Sequence, residues 1–375
     1  MFDIRTDIRP TLAEVDLSAL RKNVDVVAAA VGPSVGVLAV VKADAYGHGA
    51  LACAHALERK VWGFAVSLVE EGVELRRGGI QAPILLLGNF YGLSHRDVVA
   101  YQLTPVVSDE ADLDRFQRAG EELGNGKRVS FHLKIDSGMS RLGVRPERLA
   151  SFLEVLARTP GVELSGLCSH LADADGDDPE PTHEQLAVFR RAEAQVLAAG
   201  FRPALTHVAN SAGTIRFSDA RFDLVRPGLS LYGYGQAGLS PVMSLKSRVV
   251  ALRDVPAGTR ISYGGLHTTS APARIATVPI GYADGYSRRL TGQAEVLVGG
   301  RRCRVVGAIT MDMCMVDVTA VNPKLGDEVV LFGSQAPWGA RIGADELAQW
   351  GGTIVWEVFC GVSKRVPRIY SGERA

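Results

Sequence analysis

The sequence has 375 residues, of which 47% are hydrophobic and 22% are charged. A chain of this length and composition allows about two globular domains and lacks the low hydrophobicity of a disordered protein. Lysine plus arginine and aspartate plus glutamate both number 41, so the formal net charge is zero. No overall field favours nucleic acid or an anionic membrane, and we expect neither as a partner.

The cellular location is predicted from cysteines and from the first residues. The five cysteines are an odd number without a CxxC pair, which argues against both a disulfide framework and a zinc knuckle. No run approaches the roughly 18 uncharged apolar residues of a membrane span. The opening MFDIRTDIRP is charged where a secretory signal needs its apolar region. We therefore predict a cytoplasmic protein.

Between residues 35 and 235, short β-branched runs alternate with segments of helical period, as in parallel strands joined by crossover helices. Eight strands are predicted, at residues 35–42, 62–67, 83–88, 104–108, 130–136, 164–170, 205–209 and 224–232. Helical segments, such as residues 110–123 and 184–197, lie between them. The pattern predicts an α/β fold with a (β/α)8 barrel, and a doubly wound sheet is the alternative.

After Gly238 the pattern changes to strand-like runs separated by turn residues, with few helical segments. The strands predicted there are residues 245–252, 274–280, 294–298, 303–308, 315–318 and 328–332. We therefore predict a barrel at residues 1–238 followed by a mainly β domain at residues 239–375. Residues 1–15 are candidates for pairing with the β domain instead.

Lys42 ends the first predicted strand, in the segment VVKADAYGHG. The carboxyl ends of barrel strands form the catalytic face, where partial desolvation lowers an amine pKa toward the range that imine formation needs. A lysine at a strand end is also often a surface side chain whose stem packs on apolar neighbours. This segment alone leaves both interpretations open.

Polar side chains follow other predicted strands. The segment FHLKIDSGMSRLG carries Arg141, whose guanidinium suits a substrate carboxylate or, equally, the neighbouring Asp136. His170 ends one further predicted strand and His207 lies within the next. They are either hydrogen-bonded core residues or one polar chain across the barrel mouth. Arg226 in VRPGLSLYG belongs to the site or to a structural ion pair.

A phosphate cradle is a further candidate, because the loops after strands 7 and 8 of a barrel commonly bind phosphate. The groups available there are the backbone N–H groups of Gly228 and Leu229 and the hydroxyl of Ser211.

Nine segments occur in an order and spacing that resemble bacterial alanine racemase. They are VVKADAYGHG, HLKIDSGMSRLG, SHLADAD, HVANS, VRPGLSLYG, ISYGG, PIGYADGY, GAITMDMCMVDVT and RVPR, which together span nearly the whole chain. The resemblance implies an enzyme that uses pyridoxal 5′-phosphate (PLP) to interconvert L- and D-alanine, supplying D-alanine for peptidoglycan. It also implies a homodimer whose active sites use both subunits.

The resemblance implies that Lys42 holds the cofactor as an imine and is one of two acid/base groups. Tyr263 is the implied second base, supplied by the partner subunit to the opposite face, since racemisation needs proton removal on one face and protonation on the other. Arg226 is implied to face the pyridine nitrogen, with His207 supporting it and His170 linking it toward Tyr263. A guanidinium keeps its charge, so the pyridine nitrogen stays unprotonated and the ring is a weaker electron sink.

The other implied site residues fall into two groups. The implied cofactor ligands are Tyr46, His170, Asn210, Ser211, Gly228, Leu229 and Trp356, and the implied substrate and entrance residues are Arg141, Met311, Asp312 and Tyr282. Lys134 occupies a position at which many family members carry a carbamylated lysine that orients the arginine. Trp356 departs from the family, which usually has tyrosine there, and an indole N–H donates but cannot accept a hydrogen bond.

Four other functions compete with this interpretation. A racemase of broader specificity stays open, because pocket shape decides which side chain is preferred. A PLP-dependent decarboxylase of the same architecture is disfavoured, because that group places an acidic residue where this chain has Arg226. A non-catalytic PLP carrier resembles the barrel alone and lacks the β domain with Tyr263 and Met311. A metal-dependent barrel hydrolase is disfavoured because the eight histidines form no HxH pair at a strand end, and we expect no metal.

Overall fold

The computed structural model describes residues 8–88, 90, 94–124, 126 and 128–372. The chain divides into two compact units: a barrel unit of Ala19–Ala45 and Ala50–Ser240, and a β unit of Met1–Ser18, Tyr46–Gly49 and Pro241–Ala375. Two stretches of the predicted barrel range 1–238 therefore group with the β unit. Residues 1–7 of the segment considered for β pairing, and residues 373–375, lie outside the described residues.

Strands occur in both units. In chain order they are β1 (Leu12–Asp16), β2 (Gly36–Val40), β3 (Gly63–Val66), β4 (Ile84–Leu86), β5 (Thr104–Val107), β6 (Val129–Lys134), β7 (Val162–Cys168), β8 (Leu205–His207), β9 (Leu224–Val225), β10 (Met243–Arg248), β11 (Ala251–Val255), β12 (Arg260–Ile261), β13 (His267–Thr268), β14 (Ala273–Val278), β15 (Glu295–Val298), β16 (Arg301–Val306), β17 (Cys314–Asp317), β18 (Glu328–Gln335), β19 (Ala340–Ile342) and β20 (Arg368–Ser371).

Helices lie mainly in the barrel unit. They are α1 (Leu17–Val31), α2 (Lys42–Gly47), α3 (Ala50–Leu57), α4 (Val69–Arg77), α5 (Ser94–Ala100), α6 (Glu110–Glu122), α7 (Leu149–Ala157), α8 (Glu180–Ala198), α9 (Ser211–Arg216), α10 (Ala344–Gly351) and α11 (Val355–Gly361). Short 3-10 helices include Leu229–Tyr232, Tyr263–Gly265 and Tyr282–Asp284. Of the helices in the described ranges, none combines the length and apolar character that crossing a bilayer requires.

The barrel unit contains one parallel sheet of eight strands, in the order β8-β7-β6-β5-β4-β3-β2-β9. Strands β3 and β4 are buried at every residue, as expected where both faces of a parallel sheet are covered. Across the remaining seam, the N–H groups of Asp223 and Arg226 donate to the carbonyl oxygens of Thr206 and Ala209 at 3.0 and 2.9 Å. The sheet is therefore nearly closed, which confirms the predicted (β/α)8 barrel over the doubly wound sheet.

The last barrel strand is shorter than predicted. The sequence pattern favoured a strand over residues 224–232, but β9 ends at Val225 and a 3-10 helix occupies Leu229–Tyr232. Pro227 has no N–H to donate to a neighbouring strand, so the ladder cannot continue through it. Arg226 consequently follows the strand end, on the face where barrel enzymes place their catalytic groups.

The β unit is built on a mainly antiparallel sheet in the order β11-β14-β17-β16-β15-β18-β10-β1-β20, with β19 paired to β18. The N-terminal strand β1 pairs antiparallel with β10 and parallel with β20. A separate two-stranded hairpin, β12-β13, carries the turn that contains Tyr263. Helices α10 and α11 near the carboxyl end were not predicted.

Candidate active site

The segment after Lys42 is a left-handed helical turn. In α2, residues Ala43, Asp44, Ala45 and Tyr46 have φ angles of 51°, 54°, 54° and 51°. L-amino acids disfavour this conformation by about 1–2 kcal/mol per residue, because Cβ approaches the following carbonyl oxygen. Strain of this kind persists only where the surroundings impose it, and it clusters at functional sites. The sequence analysis did not predict the left-handed turn.

Acidic side chains hold the start of this turn in the barrel unit. The Glu71 carboxylate accepts hydrogen bonds from the N–H groups of Ala43 at 2.6 Å and Ser67 at 2.8 Å. Asp44 accepts from the N–H of Ala50 at 2.7 Å. These bonds fix the backbone that follows Lys42 at both ends of the turn.

The end of the turn is held within the β unit. Arg368 donates from Nε to the Gly47 carbonyl oxygen at 2.9 Å. Gly47 has φ +77°, and a Cβ placed on it would lie 2.4 Å from the Phe359 carbonyl oxygen. Only glycine therefore fits this approach. Tyr46 is 8% exposed, and burial raises the pKa of its phenol.

Arg226 is the most extensively hydrogen-bonded side chain of the barrel mouth. Its Nη1 lies 2.6 Å from Nδ1 of His207 and donates to the His207 carbonyl oxygen at 2.9 Å. Its Nη2 donates to the carbonyl oxygens of Ser169 and Val208 at 2.7 and 2.8 Å and lies 3.2 Å from Nδ1 of His170. The side chain is buried, with 4% of the residue exposed, so its orientation is fixed.

These contacts determine where the histidine protons lie. A guanidinium only donates, so Nδ1 of both His207 and His170 must accept. The proton of His207 is then on Nε2, which lies 2.7 Å from Nδ1 of His132. Burial, with the Arg226 charge, lowers the pKa of His132 to about 4 and that of His170 to about 3, and lowers the pKa of His207 well below its usual value. All three rings are therefore neutral at neutral pH.

His132 is a site residue that the sequence analysis missed. It lies on β6 two residues before Lys134, a spacing that places both side chains on one face of the strand. Opposite it on β7 is Gly166, where a Cβ would come within 2.5 Å of the His132 ring. The spacing to Lys134 was the available signal, because alternate strand residues share a face.

A group of hydroxyls and backbone N–H groups lies after β8 and β9. The Ser211 Oγ accepts from the N–H groups of Gly228 at 2.9 Å and Ser230 at 3.4 Å. The Ser230 hydroxyl is buried and has no hydrogen-bond partner within the described ranges. Buried hydroxyls usually have a hydrogen-bond partner, and a phosphate oxygen at this place would supply one. Asn210 instead caps α9, accepting from the N–H of Gly213 at 2.9 Å.

Lys134 and Arg141 lie on β6 and on the loop that follows it. Lys134 is 8% exposed. Burial lowers its pKa, the Cys168 thiol opposes this, and Arg226 and Arg141 reinforce it. The Asp136 carboxylate accepts from the loop N–H groups of Gly138 and Ser140. Both interpretations of Arg141, a substrate-carboxylate contact and an ion pair with Asp136, therefore stay predictions.

Four predicted site residues line one cavity in the β unit. Tyr263, Tyr282, Met311 and Asp312 surround a volume of about 490 Å³, together with Arg288, Ile309 and Thr310. Tyr263, Met311 and Tyr282 are 73%, 52% and 40% exposed. Trp356, the remaining predicted residue, is half-buried in α11.

Ion pairs fix the Asp312 side of this cavity. Arg365 donates from Nη2 to Asp312 Oδ1 at 2.7 Å, and its Nε lies 3.4 Å from Asp284 Oδ1. Asp284 is fully buried and also accepts two hydrogen bonds from Arg9, at 2.9 and 2.5 Å. A bidentate arginine pair of this kind is geometrically specific. The described residues contain no cluster of three or more histidine, cysteine or acidic side chains suited to a metal ion.

Comparison with known proteins gives one consistent result. Residues 15–236 match the family described as alanine racemase, N-terminal domain, and residues 242–370 match alanine racemase, C-terminal domain. Curated relatives named alanine racemase include those of Sorangium cellulosum, 44% identical over 97% of this chain and 99% of the relative, and Geobacter sulfurreducens, 43% identical over 97% and 98%.

Solved structures agree with the sequence relatives. Alanine racemase from Streptomyces coelicolor A3(2) is 34% identical with a TM-score of 0.92, covering 99% of this chain and 100% of that one. The Bartonella henselae alanine racemase, described with covalently bound pyridoxal phosphate, is 30% identical with a TM-score of 0.87, covering 96% and 99%. Both family domains, in order and over nearly the full length, place this chain in the alanine racemase family.

Proposed function

We propose that Lys42 and Tyr263 are the two opposed bases with which this PLP-dependent alanine racemase interconverts L- and D-alanine. The observation that carries the proposal is the buried Arg226, held as a pure donor among three neutral histidines. That environment suits a pyridine nitrogen that accepts a hydrogen bond without being protonated. A decarboxylase of this architecture needs an acidic group at that place.

The residues of the barrel mouth fit PLP. Lys42 would hold the cofactor covalently, Arg226 would donate to its ring nitrogen, and Ser211 with the backbone N–H groups of Gly228 and Leu229 would bind its phosphate. The buried Ser230 hydroxyl, which has no hydrogen-bond partner within the described ranges, is a phosphate ligand that we add to this set. We assign Tyr46, His170, Asn210 and Trp356 to the cofactor as well, on family resemblance.

PLP, when bound, withdraws electron density from the Cα of the amino acid and so makes its proton acidic. The guanidinium of Arg226 keeps its own proton, so a pyridine nitrogen facing it would stay unprotonated. The ring would then withdraw less electron density from Cα. Rapid return of the proton to Cα is then favoured over competing reactions. This limitation suits a racemase, whose product differs from its substrate only in which face of Cα carries the proton.

The two bases divide the work by face. Tyr263 takes the Cα proton of L-alanine on its phenol oxygen. Lys42, whose amine is released from the cofactor when the substrate amine replaces it there, then donates a proton from Nζ to the other face, and the roles reverse for D-alanine. Arg141 and Met311 contact the substrate carboxylate, and Tyr282 and Asp312 line the entrance. Lys134, whose pKa burial lowers, is a candidate for reaction with CO2 to form a carbamate that orients Arg141.

We infer that the active protein is a homodimer with shared sites. Tyr263, Met311 and Tyr282 are large side chains exposed around one cavity of the β unit. Exposed apolar clusters of this kind mark interaction surfaces. A second copy of the chain is the proposed occupant, so that the β unit of one subunit supplies Tyr263 and Met311 to the barrel unit of the other. In this arrangement the proposed domain at residues 1–238 contains the barrel, and the proposed domain at residues 239–375 supplies Tyr263 and Met311 to the partner subunit.

The biological role follows from the product. We propose that the enzyme supplies D-alanine for peptidoglycan from the cytoplasm, a location consistent with five cysteines that form no disulfide in the part of the chain that the structure describes. A racemase of broader specificity is the second candidate, because the departure at Trp356 changes a residue assigned to the cofactor pocket.

The PLP-loaded protein tests this proposal. We expect it to be yellow, to interconvert the alanine enantiomers by chiral chromatography, and to prefer alanine over serine and larger amino acids. Borohydride reduction followed by peptide mapping should fix the cofactor on Lys42, and the Lys42→Ala protein is the matched control without either property. A label on another residue, or no interconversion by the loaded protein, contradicts the assignment.

A further inference from the structure

Ser262, the residue before Tyr263, has a backbone conformation that side chains rarely adopt. Its φ and ψ angles are 62° and −173°, in a region populated almost only by glycine. The strain arises because Cβ clashes with the neighbouring peptide groups. A serine stays in this conformation only if another interaction holds it there.

The serine side chain supplies that interaction. Ser262 Oγ donates a hydrogen bond to the Ala308 carbonyl oxygen at 2.8 Å. Ala308 immediately precedes Ile309, Thr310 and Met311, which line the same cavity as Tyr263. The hydroxyl thus joins the Tyr263 turn to the loop that carries Met311, and both belong to the β unit.

The backbones of the two segments also approach closely. A Cβ on Gly307 would lie 2.6 Å from the Ile261 carbonyl oxygen and 2.9 Å from Cβ of Ser262. Gly307 therefore provides the space in which Ser262 sits. The turn itself is closed by the N–H of Gly265, which donates to the Ser262 carbonyl oxygen at 3.1 Å.

The residue before Ser262 is anchored. Ile261 is 7% exposed and packs in a cluster with Ile275 and Val306. Since Ile261 is fixed, the torsions of Ser262 determine the direction in which the chain leaves the hairpin and hence where Tyr263 lies. A relaxation of φ to negative values would move Tyr263 away from its present position.

We propose that Ser262 is a positioning residue for Tyr263. The Ser262 hydroxyl, which we call the clamp, holds the strained backbone against the Met311 loop, so that the Tyr263 phenol is oriented before substrate binds. The inference rests on the proposed role of Tyr263 as second base. It predicts an unusual order of variants. Ser262→Ala loses the clamp but keeps Cβ, so its backbone relaxes, whereas Ser262→Gly loses the clamp and can keep the same torsions without strain.

The test compares Ser262→Ala, Ser262→Gly and, as matched control, Ser334→Ala at an exposed serine of the same unit. We expect activity to fall in the order wild type, Gly variant, Ala variant, with the Ala variant losing on the order of tenfold or more in kcat, since small misplacements of catalytic groups are costly. A purely structural effect of side-chain removal would put the Gly variant last, because glycine adds backbone freedom.

Deuterium isotope effects on kcat/KM identify the affected base. In Ser262→Ala, proton transfer at Tyr263 becomes more rate-limiting. The isotope effect should therefore rise for L-alanine deuterated at Cα and fall for D-alanine deuterated at Cα. General loosening of the protein would change both isotope effects in the same direction. Hydrogen exchange of the holoenzyme should also be faster in peptides covering residues 261–266 and 307–311 of the Ala variant, and unchanged in the Ser334→Ala control.

Measuring Tyr263→Phe in parallel separates the proposed role of Tyr263 as a base from the proposed role of Ser262 in positioning it. If Tyr263→Phe reduces exchange of the Cα proton with solvent equally for both enantiomers, the proposed second base is wrong and the inference fails with it. If Tyr263→Phe reduces that exchange selectively for L-alanine but Ser262→Ala behaves like Ser334→Ala, only the positioning role is wrong. If the Ala variant does not fold, the Gly variant decides. Isotope effects equal to those of the wild type, together with unchanged backbone hydrogen exchange at residues 261–266, would contradict the proposed role of the Ser262 hydroxyl.

Discussion

Arg226 is bonded twice to His207, with Nη1 2.6 Å from the ring Nδ1 and 2.9 Å from the carbonyl oxygen of the same residue. The ring must accept from the guanidinium, so its proton faces His132. The orientation and charge of Arg226 are thus maintained by two neutral rings in sequence. Protonation of either ring would place a second positive charge beside the guanidinium and oppose the arrangement.

The first prediction concerns stability against pH. His132 has a native pKa of about 4, below its unfolded value, so between about pH 4 and 6.5 the unfolded chain binds more protons than the native one. The free energy of unfolding should therefore fall as the pH is lowered through that window and be level above it. Urea unfolding of the holoenzyme at several pH values measures this.

His132→Asn should reduce the slope of that decline by up to about 1.4 kcal/mol per pH unit, the contribution of one titrating group. His55→Asn, at an exposed helical histidine, is the matched control for removal of an imidazole. Identical slopes for the wild type and His132→Asn would show that His132 is not kept neutral in the folded protein.

Trp356 provides the second prediction. If its indole N–H donates to the phosphate, Trp356→Phe should weaken PLP retention by roughly tenfold to a hundredfold, because a hydrogen bond to a charged acceptor is worth about 1.5–3 kcal/mol. If it is only a pocket wall, PLP affinity should stay the same and the relative rates for alanine and serine should change. We expect the second result, because Ser211, Ser230 and two backbone N–H groups already provide donors.

Equilibrium dialysis of PLP and racemisation rates for both amino acids distinguish the two outcomes. Trp356→Tyr restores the family's usual residue and is the matched control. Unchanged PLP affinity together with an unchanged ratio of rates would show that Trp356 has neither role.

The third prediction tests the shared site. Lys42→Ala and Tyr263→Phe proteins should each be inactive or nearly so, since each lacks one base. If the bases come from different subunits, mixing the two proteins and allowing subunit exchange should restore activity, because one site of the heterodimer keeps both. Activity that stays absent despite exchange verified by mass spectrometry would contradict a site built from two subunits.

The sequence predicts the barrel because strand-like runs alternate with helical segments. The predicted strands 205–209 and 224–232 enclose His207 and Arg226, whereas in the structure β8 ends at His207 and β9 ends just before Arg226. The sequence could not predict the left-handed turn from Ala43 to Tyr46, because alanine and aspartate in that pattern normally favour a right-handed helix. The turn depends on Glu71 and Arg368, which are distant in sequence.

Other parts of the site also depend on long-range packing. His132 reaches His207 across 75 residues, so its role is visible only when neighbouring barrel strands are in register. Ser262 looks like an ordinary turn residue in the sequence ISYGG, and its positive φ and its hydrogen bond to Ala308 are visible only in the structure. Local patterns therefore predicted which elements form, while three-dimensional contacts determined how the catalytic side chains are oriented.

Exchange of the Cα proton in the Tyr263→Phe protein tests the two-base account most directly. Solvent deuterium incorporation into L-alanine and D-alanine would be followed separately by NMR, with the wild type as reference. If Tyr263 is the base for L-alanine and Lys42 the base for D-alanine, as we propose, exchange from L-alanine should be greatly reduced while exchange from D-alanine is retained to a larger extent. Equal losses for the two enantiomers would contradict the assignment of one base to each face.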